Sequence, residues 1–76
     1  MNDLTITYIK NSIATTVACM DYELRTSATV ENINMFSEEI ATKTTLLNKY
    51  IAGEELDIVE KIRLDSIIAV ATKEVV

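Results

Sequence analysis

Cys19 is the only thiol in this sequence, and nothing along its own helix activates it as a nucleophile. A reactive thiolate needs cations or a helix N-terminus beside it, and only Lys10 and Arg25 can approach Cys19 from the same segment. The pattern suits a small apolar residue on a helix, with a disulfide across a dimer axis as the other use. There is no histidine, so the commonest general base and metal ligand is missing. A single cysteine excludes an intrachain disulfide and leaves a structural zinc site without ligands. Two carboxylate groups remain, Glu38-Glu39 and Glu54-Glu55-Asp57. Neither has the alternating spacing and glycine of a calcium loop, and helix-start electrostatics accounts for the second. With Gly53 the only glycine, no glycine-rich phosphate loop exists. The expectation is a protein that is not an enzyme, with no cofactor, no metal and no evident small-molecule ligand.

Twelve acidic residues against seven basic ones give a net charge of −5. That balance disfavours nucleic-acid backbones, which require clustered Lys and Arg, and anionic membrane surfaces. Acidic and basic groups are interspersed, which is the pattern of a solvated face and not the dense carboxylate row of a DNA mimic. No apolar run approaches the ~18 residues that span a bilayer. Met1-Asn2-Asp3 lacks the basic region and apolar core of a secretory signal. Together with a free thiol, this predicts a cytoplasmic protein. The 76 residues form one domain, 1–76. A chain this short buries only about 60–65% of its unfolded surface, so its core is marginal unless helix packing or association supplements it.

The elements that would position any surface are helical. Leu4-Thr5-Ile6-Thr7-Tyr8-Ile9 alternates like a strand, but the longer window decides for helix 1 over 3–25. Ile6, Ile9, Ile13, Val17, Met20 and Leu24 recur within a sector of about 80°, as narrow as a coiled-coil seam. Leu4, Tyr8, Cys19 and Tyr22 lie opposite, and tyrosines are frequent interface anchors. Asp3 and Arg25 suit the two ends of the helix dipole, and Asp21 pairs with Arg25 at i,i+4. Ser27 or Thr29 can cap helix 2, over 30–52. Its stripe is Ile33, Phe36, Ile40, Leu47 and Ile51, with Thr44 filling the gap. Glu31, Glu38, Thr42, Thr45 and Lys49 lie opposite, and Glu39 pairs with Lys43. Ser37-Glu38-Glu39 offers a later start for the same helix. Gly53 is the stop signal, and helix 3 follows over 54–75. A connection of two or three residues predicts an antiparallel hairpin of helices 2 and 3. The fold class is all-α: a small three-helix bundle, or a long antiparallel helical hairpin with an added N-terminal helix.

Helix 3 is apolar on two sides. Leu56, Leu64, Ile67, Ile68 and Ala71 share one sector; Ile58, Val59, Ile62, Ala69 and Val70 share another, roughly opposite. Charged residues occupy only the gaps. A helix apolar nearly all round is normally buried. Two arrangements satisfy the pattern: the central helix of a bundle, or a helix whose second face is left for a partner. The candidate partner-binding residues are Leu64, Ile67, Ile68 and Ala71, with Leu4, Tyr8 and Tyr22 on helix 1. Ile67→Asp and Ile62→Asp are each expected to damage folding or association by several kcal/mol, because either would bury an unpaired charge.

The functional expectation is a small acidic adaptor or co-chaperone that covers an apolar helix of another protein. In size, acidity and helical plan the chain resembles the small co-chaperones of bacterial secretion systems that keep a needle or filament subunit soluble. That resemblance lies in overall plan and matches no motif residue by residue. The alternatives are a self-assembling homo-oligomer, or a phage- or plasmid-type inhibitor acting by occlusion.

Overall fold

The computed structural model describes residues 3–26 and 29–73. It contains three helices: α1 (Leu4–Thr26), α2 (Val30–Ala52) and α3 (Ile58–Lys73). Among the described residues no helix is long and apolar enough to cross a membrane.

The start of α1, both ends of α2 and the start of α3 are fixed by local devices. Asp3 Oδ1 accepts the Thr5 N–H at 2.9 Å and opens α1. Thr29 caps α2 through the Asn32 N–H; Ser27, the other candidate cap, lies outside the described residues. α2 runs unbroken from Val30, so Ser37 is an interior residue and not a second start. Gly53 ends α2 at φ +73°, with its N–H donating to the Tyr50 carbonyl and the Glu54 N–H donating to that of Lys49. This is a Schellman arrangement, and it needs a left-handed residue at that point. Space is not the constraint, since a Cβ there would meet no atom within 4 Å. Gly53→Ala is therefore expected to cost only the left-handed backbone penalty, about 1 kcal/mol, read as a lowered urea midpoint. A larger loss would show that the turn tolerates no side chain for another reason.

α3 begins four residues later than the acidic cluster predicts. Asp57 and Glu60 form a reciprocal capping box: the Glu60 N–H donates to Asp57 Oδ1 at 2.8 Å, and the Asp57 N–H donates to Glu60 Oε1 at 3.0 Å. With both orphan donors satisfied there, Glu54 and Glu55 stay in the connection.

α1 and α2 pack antiparallel, and their seam reads as a ladder of side-chain contacts. Tyr50 Oη donates to Asp3 Oδ2 at 2.8 Å at one end. Lys43 Nζ donates to the buried Thr16 Oγ1 at 2.8 Å near the middle. Asn32 Nδ2 donates to Glu23 Oε1 at 2.7 Å at the other end. The expected i,i+4 pairs are present, Asp21–Arg25 at 3.2 Å and Glu39–Lys43 at 3.8 Å.

The predicted hairpin of helices 2 and 3 is not the packing unit. α1 forms the principal interface with α2 and a smaller one with α3, while α2 and α3 barely approach each other. The connection spans residues 53–57, long enough to let α3 settle on α1 instead of folding back along α2. The three helices meet at one point: Ile9 from α1 (0% exposed), Leu46 from α2 (1%) and Ile67 from α3 (8%) are the buried hydrophobic core. Tyr8, Ile13, Leu47, Tyr50, Leu56 and Leu64 pack around them.

Candidate functional site

Because α1 carries both neighbours and α2 and α3 diverge, a groove opens between the latter two with α1 as its floor. Its floor is Tyr8, Asn11, Ser12 and Thr15; one wall is Glu39 and Lys43 of α2; the other is Val59, Ile62, Arg63, Ser66 and Val70 of α3. Its volume is about 920 Å³. A helix roughly 10 Å across occupies ~120 Å³ per residue, so the groove matches about two turns of helix.

The α3 wall is apolar by helical geometry. Ile58, Val59, Ile62, Ala69 and Val70 fall on one side of α3 and are all exposed. Leu56, Leu64, Ile67, Ile68 and Ala71 fall on the other side, which is buried or half-buried. The helix is two-faced, and its own chain covers one face only. The molecule as a whole is extended for its length, and its exposed large hydrophobic residues lie on all three helices. Its accessible surface is 5592 Å², about 900 Å² above the roughly 4,650 Å² expected of a compact monomer of 8.5 kDa. Its radius of gyration is 13.5 Å, where a compact chain of this length gives about 11.4 Å.

The seven sequence-derived partner-binding candidates divide. Ile67 belongs to the core, with Leu64 and Tyr8 packed against it. Ile68 and Ala71 are half-buried. Leu4 and Tyr22 are exposed on α1, away from the groove. Only Ile67, Ala71 and Tyr8 among the seven border the groove. The open wall is made by the second sector of α3. The signal that separates the two sectors is side-chain bulk: the inward one carries Leu64, with Leu56 just ahead of the helix, whereas Ser66 and Ala69 interrupt the outward one. The groove floor has no comparable signature, since Asn11, Ser12 and Thr15 look like ordinary solvated positions.

Charge in the groove is sparse. Lys43 is held by Thr16 and Glu39. Arg63 is half-buried and makes no ion pair among the described residues. Cys19 is exposed on α1 and does not line the groove. Among the described residues no three metal-ligating side chains converge.

Among the described residues three titrations are displaced from their ordinary values, all at the α1–α2–α3 end where the chain is tied together. The Tyr50 hydroxyl, then the Thr5 N–H, hold Asp3 below the usual carboxylate range. The Asp57 N–H, then the Lys49 ammonium at 2.9 Å, do the same for Glu60. The hydrogen bond to Glu60 raises Lys49, helped by the charges of Glu60, Asp57 and Glu54. For the two acids the folded state binds the proton less tightly than the unfolded chain. Their contribution is complete above the ordinary carboxylate range and is lost as pH falls through the depressed folded values. For Lys49 it is complete below the ordinary lysine range and is lost above it. Tyr50→Phe keeps the ring and removes the donor, so the acid-unfolding midpoint is expected to move to higher pH. An unchanged midpoint, followed by circular dichroism, would show that the Asp3 contact contributes nothing.

No family model, curated protein or solved structure matches this chain.

Proposed function

We propose that this protein is a non-enzymatic interaction module whose groove receives an amphipathic helix from outside its own fold. The observation that carries the reading is the second face of α3: Ile58, Val59, Ile62 and Val70 stand exposed in one sector beside a helix-sized channel. Apolar surface in a contiguous, concave strip is the usual mark of a docking site, and helix-in-groove is the mode that fits it. The docked helix would act as a fourth helix, covering α3 on the side that α1 leaves open. An adaptor or co-chaperone role in the cytoplasm is the reading that suits that mode and a net charge of −5.

Methyl NMR in the presence of a model amphipathic helical peptide tests it. Shift changes are expected to concentrate on Val59, Ile62 and Val70, saturating with peptide concentration. Changes centred instead on Leu4 and Tyr22, or none at peptide excess, would remove the groove as the docking site.

A further inference from the structure

Resting on that reading, we infer that the helix received by the groove carries a carboxylate inside its apolar face, placed to meet the Arg63 guanidinium. The basic residues separate by their surroundings. Lys10, Lys61 and Lys73 are exposed and stand in water, and the exposed Arg25 pairs with Asp21. Lys43 and Lys49 are partly covered, and each is met by a carboxylate, Glu39 at 3.8 Å and Glu60 at 2.9 Å. Arg63 alone is partly covered and without an ion pair among the described residues.

Its own chain does not supply the missing partner. The positions one turn away on α3 are Val59, Glu60, Ser66 and Ile67, where a helix makes its side-chain pairs. Glu60 is the only acid among them, and it is already occupied by the Asp57 N–H and by Lys49. Across the groove, Glu39 serves Lys43. Glu38 and Glu39 border a smaller cleft beside Arg63 without closing to an ion pair. The groove therefore holds one acidic residue, Glu39, against two basic ones, Lys43 and Arg63, in a chain whose net charge is −5. Val59 and Ile67 flank Arg63 along the wall. A helix lying along α3 matches that order with an acidic residue that has apolar residues one turn before and after it. Guanidinium favours a carboxylate over a neutral acceptor, because two parallel N–H donors match its two oxygens. The negative charge of the chain opposes such a ligand only at long range, which physiological salt screens within ~8 Å.

Fluorescence anisotropy with two end-capped, otherwise neutral amphipathic helical peptides gives the test. One carries a single glutamate inside its leucine face; the other carries glutamine there. The wild type is expected to bind the glutamate peptide about tenfold more tightly, with Val59 and Val70 methyl shifts placing both peptides in the groove. Arg63→Met should bind the two alike, at the wild-type affinity for the glutamine peptide, and Arg63→Lys should keep part of the preference. Circular dichroism should be unchanged in both variants, since no ion pair is lost. Equal binding of the two peptides by the wild type, or a preference that survives Arg63→Met, overturns the inference and leaves the docking reading standing. Binding of neither peptide overturns both. A wild type that sediments at twice the 8.5 kDa chain mass and is made monomeric by Ile62→Asp also overturns the inference, because a second copy then fills the groove.

Discussion

Ile67→Asp is expected to abolish the folded state, whereas Ile62→Asp, five residues earlier on the same helix, leaves it intact. Ile67 is 8% exposed and touches the one point where all three helices meet; Ile62 is 64% exposed. A carboxylate at position 67 enters a cluster built on aliphatic and tyrosine side chains, with Arg63, one turn earlier on α3, bordering the groove beside it. Leaving it buried and unpaired costs about 4 kcal/mol or more. A chain of this length holds roughly 4–11 kcal/mol in total, so the loss consumes much or all of the stability. At position 62 the same carboxylate stays in water, and its effect should be confined to association. Sequence periodicity gives these two positions the same expected cost; the structure separates them. Thermal melts of both variants at low protein concentration decide the matter. If both unfold, the groove wall is covered within the single chain. If neither does, α3 is not anchored through Ile67.

The two-sidedness of α3 can be read from its sequence because it is a property of one helix: the angles between Leu64, Ile67, Ile62 and Val59 do not depend on neighbours. The ends of α2 are equally local, written in Thr29 and Gly53. The start of α3 is also local, in the Asp57-x-x-Glu60 capping box, although the preceding run of acids draws the eye to an earlier start. Sequence angles give the α1–α2 seam only in part: Ile9, Ile13 and Met20 of α1 and Ile33, Phe36, Ile40 and Leu47 of α2 are covered as the period expects. A 3.6-residue period selects Val17 and Leu24 on α1, and Thr44 and Ile51 on α2. The structure leaves those four exposed and covers Thr16, Glu23, Lys43 and Tyr50 more fully. The covered positions, 9-13-16-20-23 and 33-36-40-43-47-50, follow the 3.5-residue period of two helices winding around each other. Hydropathy alone favours Val17 over Thr16 and Ile51 over Tyr50. The choice goes the other way because Thr16 meets Lys43, and Tyr50 meets Asp3, across the seam. Those bonds have no trace in either helix taken singly. The groove is hidden for the same reason, since it exists only because α3 rests on α1 and diverges from α2.

Leu46→Ala should cost about 3 kcal/mol and should melt all three helices together. Leu46 lies beside Thr45 and Leu47 without belonging to the apparent stripe of α2, yet it is 1% exposed. The reason is the position of α3. The stripe through Phe36, Ile40 and Leu47 serves α1, while Leu46 turns about 100° from Leu47 toward the point where Ile67 arrives. Truncating a buried leucine removes its transfer free energy and leaves a cavity, together 2–5 kcal/mol depending on how far the surroundings collapse. Collapse is easier here than in a closed core, because α2 and α3 barely touch and α3 can shift toward the vacancy. That places the expected loss in the lower half of the range. Ile51→Ala, on an exposed part of the same helix, should change stability by no more than ~0.5 kcal/mol. Urea unfolding followed by far-ultraviolet circular dichroism compares the two. Equal, small losses would mean that α1 and α2 hold together without the three-way contact. α3 would then be free to leave the bundle, and a groove with one movable wall could not present a fixed docking surface.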